Sequence, residues 1–225
     1  MPSPVEPAMH LFAHPFSSFC QKVLIALYEN RTPFEGRMLD PDHPDNLAEW
    51  SSLWPMKKMP VLVDGDRVVV ETSAIIEYLA VAHPGLVKLI PDDPLLAAEA
   101  RMMDRIFDLH VSVPQQKFVF DALRPESGRD PYGVQQAGEQ LDTIYAWLDQ
   151  RMAGRRWAVG DTFTMADCAA APALFYADWT HAIPERSAAL KAYRACLLAR
   201  PSVARCVDDA RPYRAFFPLG APDRD

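Results

Sequence analysis

The chain lacks the cysteine patterns of disulfide-rich and metal-binding proteins. Its four cysteines, Cys20, Cys168, Cys196 and Cys206, form no CxxC pair and have no metal-ligand spacing to the six histidines. Isolated cysteines of this kind suit a reducing compartment, where they usually act as small buried apolar side chains. The sequence therefore predicts neither a disulfide framework nor a metal site.

Basic runs and long apolar runs are also missing. The formal net charge of -7 and the absence of a Lys/Arg cluster argue against a nucleic-acid partner. The most apolar window, CAAAPALFYA at 168–177, is far shorter than a membrane span and contains Pro172. The N-terminal MPSPVEPAMH has neither the basic nor the apolar region of a signal peptide. We expect a soluble cytoplasmic protein with no membrane partner.

The first 80 or so residues mix strand and helix signals within an ordinary globular composition, 49% hydrophobic and 24% charged. The clearest signal is PVLVDGDRVVV, two β-branched runs around Asp64-Gly65 that predict a hairpin. The whole order is β-α-β, a turn-rich region and then β-β-α. Its elements are a strand at 8–12, a helix after Ser17 and Ser18, a strand within 32–40, a short helix within 46–53, the hairpin at 60–70 and a helix within 71–83.

Beyond the proline-bearing linker at 83–94, strand signals largely vanish. A long helical pattern covers 95–123 and is interrupted or bent near Pro114. Further helices are expected at 131–152, 164–178, 187–199 and 201–210. The fold class is therefore α/β plus all-α, a small mixed domain followed by an all-helical domain.

Two short polar stretches stand at helix starts, and each has two interpretations. Ser17 and Ser18 suit an N-cap, because a serine oxygen accepts an unpaired backbone N–H. The same hydroxyl and amides, at the positive end of a helix dipole, can hold a thiolate. Glu71-Thr72-Ser73 likewise suits a helix start, or a site in which Glu71 receives an ammonium and the free amides receive a carboxylate.

Four segments in a fixed order carry a family resemblance: SSFCQKVLIAL, KKMPVL, ETSAIIEYL and GDTFTMADCAAAPAL. With them, the chain resembles the cytosolic glutathione S-transferase family over residues 8–215, as a serine-type bacterial member. The resemblance implies a thioredoxin-like glutathione-binding domain at 1–84 and an all-helical domain with an electrophile pocket at 85–225. It also implies a homodimer.

The resemblance gives each matched residue a role. Ser17 matches the catalytic hydroxyl that hydrogen-bonds the glutathione sulfur, and Ser18 is the adjacent alternative. The other glutathione-binding positions are Lys58, the Met59 backbone, a cis-proline at Pro60, and the Glu71 and Thr72 pair that holds the γ-glutamyl group. Thr164 and Asp167 match a structural capping box. The electrophile pocket is expected in a cleft between the domains, at Phe16, Met103, Phe107 and His110.

Several positions depart from the family pattern. Lys57 occupies a position that is often glycine, and Thr72 replaces the commoner serine. Cys20 lies three residues beyond Ser17, away from the catalytic position of cysteine-type members. The chain is also similar to the maleylacetoacetate isomerase branch, whose serine pair is followed directly by cysteine, whereas Phe19 intervenes here.

The function implied is conjugation of glutathione, as co-substrate, to a small electrophile in detoxification. Two alternatives stay open. One is a glutathione-dependent isomerase, which would share the thiolate site. The other is a non-catalytic regulatory or interaction protein of the same family.

Overall fold

The computed structural model describes residues 9–225, and its N-terminal part is a small sheet flanked by helices. The segment 1–8, on which the absence of a signal peptide was predicted, lies outside the described residues. The elements of this part are β1 (Met9–Ala13), α1 (Ser18–Asn30), β2 (Glu35–Met38), α2 (Pro44–Leu53), β3 (Val61–Asp64), β4 (Arg67–Val70) and α3 (Thr72–Ala82).

The four strands lie in the order β2-β1-β3-β4. β1 and β2 are parallel and are joined through α1, whereas β3 pairs antiparallel with both β1 and β4. The β3-β4 turn uses Gly65 at a φ of 56°, a left-handed conformation that glycine adopts without steric cost. This order brings the C-terminal end of β1 beside the start of β3, because Phe12 pairs with Val61.

The rest of the described chain is helical. It contains α4 (Pro94–Ile106), α5 (Val113–Ala122), α6 (Pro131–Met152), α7 (Met165–Thr180), α8 (Ala188–Leu198) and α9 (Pro201–Ala210). A π-helical turn (Phe107–Ser112) connects α4 to α5, and two 3-10 segments lie at Glu126–Gly128 and Arg211–Phe216. The π-helical turn precedes Pro114, which lacks an N–H and whose ring clashes with the carbonyl four residues earlier. The predicted interruption of the helix near Pro114 is confirmed, and it takes the form of a π-helical turn.

The α7 helix is the centre of the helical part and is buried over almost its whole length. Its first turn carries the predicted capping box, in which the Thr164 N–H donates to Asp167 Oδ2 at 2.8 Å. Asp167 also accepts from the Ala158 N–H at 2.9 Å and from the Tyr193 hydroxyl at 2.6 Å. These bonds satisfy a fully buried carboxyl group, and burial raises its pKa.

One hydrophobic core runs through both parts. It includes residues of α1 and α3, such as Val23 and Ile75, together with residues of α4 and α7, such as Ala100 and Leu174. A smaller cluster of Phe12, Trp50 and Val61 fills the other face of the sheet beneath α2. The predicted fold class, a thioredoxin-like domain followed by an all-helical domain, is confirmed.

Candidate active site

Ser17 lies at the N-terminus of α1, at one end of a cleft between the two parts of the chain. Its backbone is extended, and its Oγ accepts from the Cys20 N–H at 3.4 Å, so it is the N-cap of the helix. A hydroxyl has one donor and two acceptor sites. Capping uses an acceptor site only, which leaves the hydroxyl proton able to donate; the Ser17 side chain opposes the effect of burial on the pKa of Cys20 in this way. The cap and the sulfur donor are therefore compatible roles for one side chain.

The N-terminus of α1 offers further donors. Its Cys20 and Gln21 amides bond to Ser17, but those of Ser18 and Phe19 find no acceptor in the described part of the chain. Unpaired amides and the helix dipole make this end of α1 favourable to negative charge. Ser18 is the first residue of the helix, and its side chain is not among those that line the cleft.

The segment before β3 forms a second side of the cleft. Lys58, Met59 and Pro60 all line it, and the Met59-Pro60 bond is cis, as the resemblance implies. The Trp50 indole donates to the Lys58 carbonyl at 3.0 Å and so fixes this segment to α2. Lys57 has a φ of 50°, which explains why glycine is the favoured residue at its position in the family.

Glu71 and Thr72 line the third side, at the N-terminus of α3. Glu71 has a φ of 68° and ψ of 119°, a conformation that costs a non-glycine residue on the order of 1–3 kcal/mol. Its side chain is exposed and makes no hydrogen bond or ion pair to residues 9–225. Strain of this kind concentrates at ligand-binding positions. Here it presents a carboxylate beside the first amides of α3.

The cleft has a volume of about 550 Å³, and the helical part closes it with the stretch from α4 to α5. Leu109, Val113 and Phe120 present apolar side chains that are 45%, 51% and 50% exposed. Arg105, Asp108 and Gln116 lie among them, and Phe19 and Trp54 add aromatic surface from the N-terminal part. These positions line one side of the cleft, and none of them is among the four residues expected in the electrophile pocket.

The residues expected in the electrophile pocket lie elsewhere. Met103 and Phe107 are 0% exposed in the main core, so they cannot contact a substrate in the cleft. Phe16 packs edge-to-face on Tyr176 and Phe217. His110 points to a separate groove between α4 and α6. The physical reason is that the strongest apolar stripe of an amphipathic helix packs into the core, while the cleft takes the partly exposed face.

A buried charge cluster lies behind the cleft. The Lys22 ammonium of α1, 1% exposed, forms an ion pair with Asp104 Oδ1 at 2.7 Å and donates to Asp108 Oδ2 at 2.8 Å. It also donates to Ser73 Oγ at 3.0 Å, and Arg105 pairs with Asp108 at 3.2 Å. Burial raises the pKa of Asp108, against the opposing effect of Lys22. The cluster joins α1, α3, α4 and the π-helical turn behind the cleft.

Two other titratable groups near Ser17 are inert. Burial raises the pKa of Cys20 to about 11, so its thiol is protonated at neutral pH. Burial lowers the pKa of His14, whose Nδ1 accepts from the Phe16 N–H at 3.1 Å. The uncharged His14 imidazole therefore stabilises the loop that leads to Ser17.

Residues 9–225 hold no cluster of three or more histidine, cysteine or acidic side chains able to bind a metal ion. Nor does this part of the chain contain a helix of the length and apolarity needed to span a membrane.

The chain matches known protein families over most of its length. Residues 11–86 match the family "Glutathione S-transferase, N-terminal domain", and residues 131–196 match "Glutathione S-transferase, C-terminal domain". Over 166 residues the chain is 30% identical to glutathione S-transferase GstB of Escherichia coli (strain K12), covering 71% of this chain and 78% of the relative. The chain belongs to the glutathione S-transferase family. The prediction that it is an enzyme of this family is thereby confirmed.

Two further relatives of this glutathione S-transferase bear on the site. A probable maleylacetoacetate isomerase of Caenorhabditis elegans is 29% identical over 170 residues, covering 75% of this chain and 78% of the relative. The crystal structure of a glutathione S-transferase of Methylobacterium radiotolerans, in complex with glutathione sulfonate, is 28% identical. It superposes with a TM-score of 0.76 and covers 88% of this chain and 94% of its own.

Proposed function

We propose that this glutathione S-transferase conjugates the thiolate of glutathione to a small apolar electrophile, with Ser17 as the donor to the sulfur. The observation that carries the proposal is the Ser17 hydroxyl, which caps α1 as an acceptor and keeps its own proton available at the cleft. This makes the enzyme a serine-type member of the family.

The residues present fit glutathione at both ends. Glu71 is placed to receive the γ-glutamyl ammonium, and Thr72 and the first amides of α3 to receive the adjacent carboxylate. The Met59 backbone, beside Pro60, would bind the cysteinyl unit. Lys58 is exposed and would reach the glycyl carboxylate. The relative bound to glutathione sulfonate supports a ligand of this chemistry.

The Ser17 side chain and the N-terminus of α1 would perform the activation together. A thiol has a pKa of about 8.5, and conjugation at neutral pH requires that value to fall. A hydrogen bond from Ser17 and the positive end of the helix dipole both stabilise the charged form. Ser18 would supply a backbone amide only.

The apolar wall formed by Leu109, Val113 and Phe120 would bind the electrophile. Their half-exposed side chains gain stability only when an apolar group covers them, at roughly 25 cal/mol per Å². This wall replaces Phe16, Met103, Phe107 and His110 as the proposed pocket. The amide of Gln116 is the polar group among them.

A glutathione-dependent isomerase is the second candidate, and the maleylacetoacetate isomerase relative favours it. Both activities would use the same thiolate and differ in whether the sulfur adduct persists. Product analysis distinguishes them: a conjugating enzyme consumes glutathione in proportion to product, whereas an isomerase returns it unchanged.

We also propose, from family membership, a cytoplasmic homodimer that serves detoxification. The division into a glutathione-binding domain at 1–84 and a helical domain at 85–225 is part of the same proposal. It is supported by the position of the linker between α3 and α4.

The test of the glutathione site is the melting temperature with and without glutathione. A ligand that binds only the folded state adds about 2.7 kcal/mol of stability at a hundredfold excess over Kd. We expect Glu71→Gln, which removes charge but keeps shape, to lose most of this gain. Glu49→Gln, an exposed glutamate of α2 that does not line the cleft, is the control and should keep it. No shift for the natural protein at saturating glutathione would overturn the proposal.

A further inference from the structure

The loop that precedes Ser17 is held by the helical part of the molecule. The Tyr176 hydroxyl, on α7, donates to the Phe16 carbonyl at 3.0 Å. It accepts in turn from the Gln21 side-chain amide, on α1, at 3.1 Å. The same Gln21 nitrogen donates to the Pro15 carbonyl at 2.8 Å. One buried pair of side chains, 2% and 4% exposed, thus holds the two consecutive carbonyls before Ser17.

This contact fixes the backbone at Ser17 because a peptide unit is planar. The Phe16 carbonyl and the Ser17 N–H belong to one peptide plane. Tyr176 holds the oxygen edge of that plane, and the His14 carbonyl accepts from the Ser17 N–H at 3.0 Å on the other edge. The remaining freedom of the Ser17 side chain is limited by its own bond to the Cys20 amide.

Packing supports the same arrangement. The Phe16 ring packs edge-to-face on Tyr176, with ring centroids 5.6 Å apart. The His14 ring packs edge-to-face on Tyr213, with ring centroids 4.6 Å apart. Burial also raises the pKa of Tyr176, so its hydroxyl stays protonated and available as a donor. The loop is therefore anchored from α7 and from the 3-10 segment that follows α9.

We propose that Tyr176 and Gln21 are positioning residues that hold the Ser17 hydroxyl in the geometry that stabilises the glutathione thiolate. The inference rests on the proposed role of Ser17. Neither side chain is among those that line the cleft, so both act through Ser17. The helical domain then contributes to activation of the thiol as well as to binding of the electrophile.

The experiment compares Tyr176→Phe with Tyr145→Phe. Both substitutions remove one hydroxyl from a buried tyrosine that donates to a backbone carbonyl at 3.0 Å. Tyr145, on α6, donates to the carbonyl of His181, the residue that caps the C-terminus of α7, and in the described structure it shares no hydrogen bond or ring contact with residues 14–17. The pKa of the bound glutathione thiol is read from thiolate absorbance, and kcat and KM are measured across pH.

We expect Tyr176→Phe to raise the thiol pKa by about 0.5 unit or more, which is about a threefold loss of thiolate at pH values below that pKa. The fall in kcat should recover in alkali, and KM for glutathione should stay within about twofold because the γ-glutamyl contacts are unchanged. Tyr145→Phe should leave the thiol pKa unchanged. In a Ser17→Ala background, Tyr176→Phe should produce no further shift. Gln21→Met, a second variant that removes the same anchor, should reproduce the effect.

Separate results overturn the inference and the proposed function. A thiol pKa that moves in Ser17→Ala but not in Tyr176→Phe or Gln21→Met would leave Ser17 as the donor and remove the positioning role. An equal Tyr176→Phe shift with and without Ser17 would show that Tyr176 acts by another route. An unchanged pKa in Ser17→Ala would overturn both the positioning role and the proposed mechanism.

Discussion

At the scale of single residues, we propose that Ser17 combines two functions, helix cap and thiolate donor, that use different parts of one hydroxyl. Its oxygen accepts from the Cys20 amide and so begins α1, and this cap leaves the donor site of the hydroxyl unused. The two interpretations of Ser17 in the sequence, helix cap and sulfur donor, therefore do not exclude each other, because one hydroxyl can accept and donate at the same time. Loss of the cap alone costs about 1 kcal/mol of stability.

Cys20 lies one turn beyond Ser17 and is the natural rival for the reactive sulfur. Burial raises its pKa to about 11, so roughly one molecule in ten thousand carries the thiolate at neutral pH. We expect iodoacetamide at pH 7 to modify the partly exposed Cys196 first and to leave Cys20 intact in the folded protein. Cys20→Ala should keep conjugation within a few-fold. A glutathione adduct on Cys20, seen by mass spectrometry together with loss of activity in this variant, would contradict the account.

The residues that we propose for the glutathione side could be selected from the sequence, because short motifs fix them to the starts of helices and strands. Glu71 could be placed beside free amides from its position before α3. The apolar wall that we propose for the electrophile was not predictable in the same way. Apolar spacing identified Met103 and Phe107, and an apolar stripe marks the face that is buried most completely. A cleft takes the intermediate face, which has no strong periodic signal.

At the scale of elements, the α4–α5 helix carries the wall, and its π-helical turn sets which side chains face the cleft. The turn at Phe107–Ser112 adds residues to one helical turn, so positions on either side no longer follow a single 3.6-residue repeat. Pro114 signals an irregularity at this place. The type of irregularity, and the helix face that it exposes to the cleft, depend on packing against α7.

The Lys22 cluster links the elements that form the cleft. We expect Lys22→Met to destabilise the protein by about 3–5 kcal/mol, because it leaves Asp104 and Asp108 buried without their ammonium partner. Lys88→Met removes an exposed lysine that pairs with Asp92, and it should cost less than about 1 kcal/mol.

Denaturant unfolding of both variants measures these costs. Asp108→Asn in the Lys22→Met background should recover part of the loss, since it removes one of the two buried carboxylate charges that lose the Lys22 ammonium. Equal effects of the two lysine substitutions would show that the buried cluster contributes no more than a surface pair.

At the scale of the whole molecule, the cleft exists because two helix N-termini and one helical wall meet across a continuous core. The order of strands and helices was predictable from local patterns, down to α6 at 131–152. The anchoring of the Ser17 loop by Tyr176, Tyr213 and Phe217 was not, because it joins residues more than 150 positions apart. Contacts of that range leave no local signature.

The proposed homodimer has a candidate surface on α4 and α6, where Leu95, Met102 and Trp147 are exposed apolar residues. Burial of such side chains at an interface is favourable, and a charge in their place is not. We expect sedimentation analysis to give twice the chain mass of 25.3 kDa. Trp147→Glu should weaken the dimer, whereas Leu86→Glu, an exposed apolar residue between α3 and α4, should not. A monomer at all concentrations would contradict the proposal.

The central claim, that Ser17 stabilises a glutathione thiolate, is tested most directly by titrating the thiolate absorbance of bound glutathione in the natural enzyme and in Ser17→Ala. A charge-assisted hydrogen bond worth roughly 1.5–3 kcal/mol corresponds to about one to two pKa units. The account predicts that the titration in Ser17→Ala moves to higher pH by that amount, because the substitution destabilises the charged form. Ser18→Ala should have a much smaller effect. Identical titration curves for the natural enzyme and Ser17→Ala would contradict the account and leave Ser17 as a helix cap.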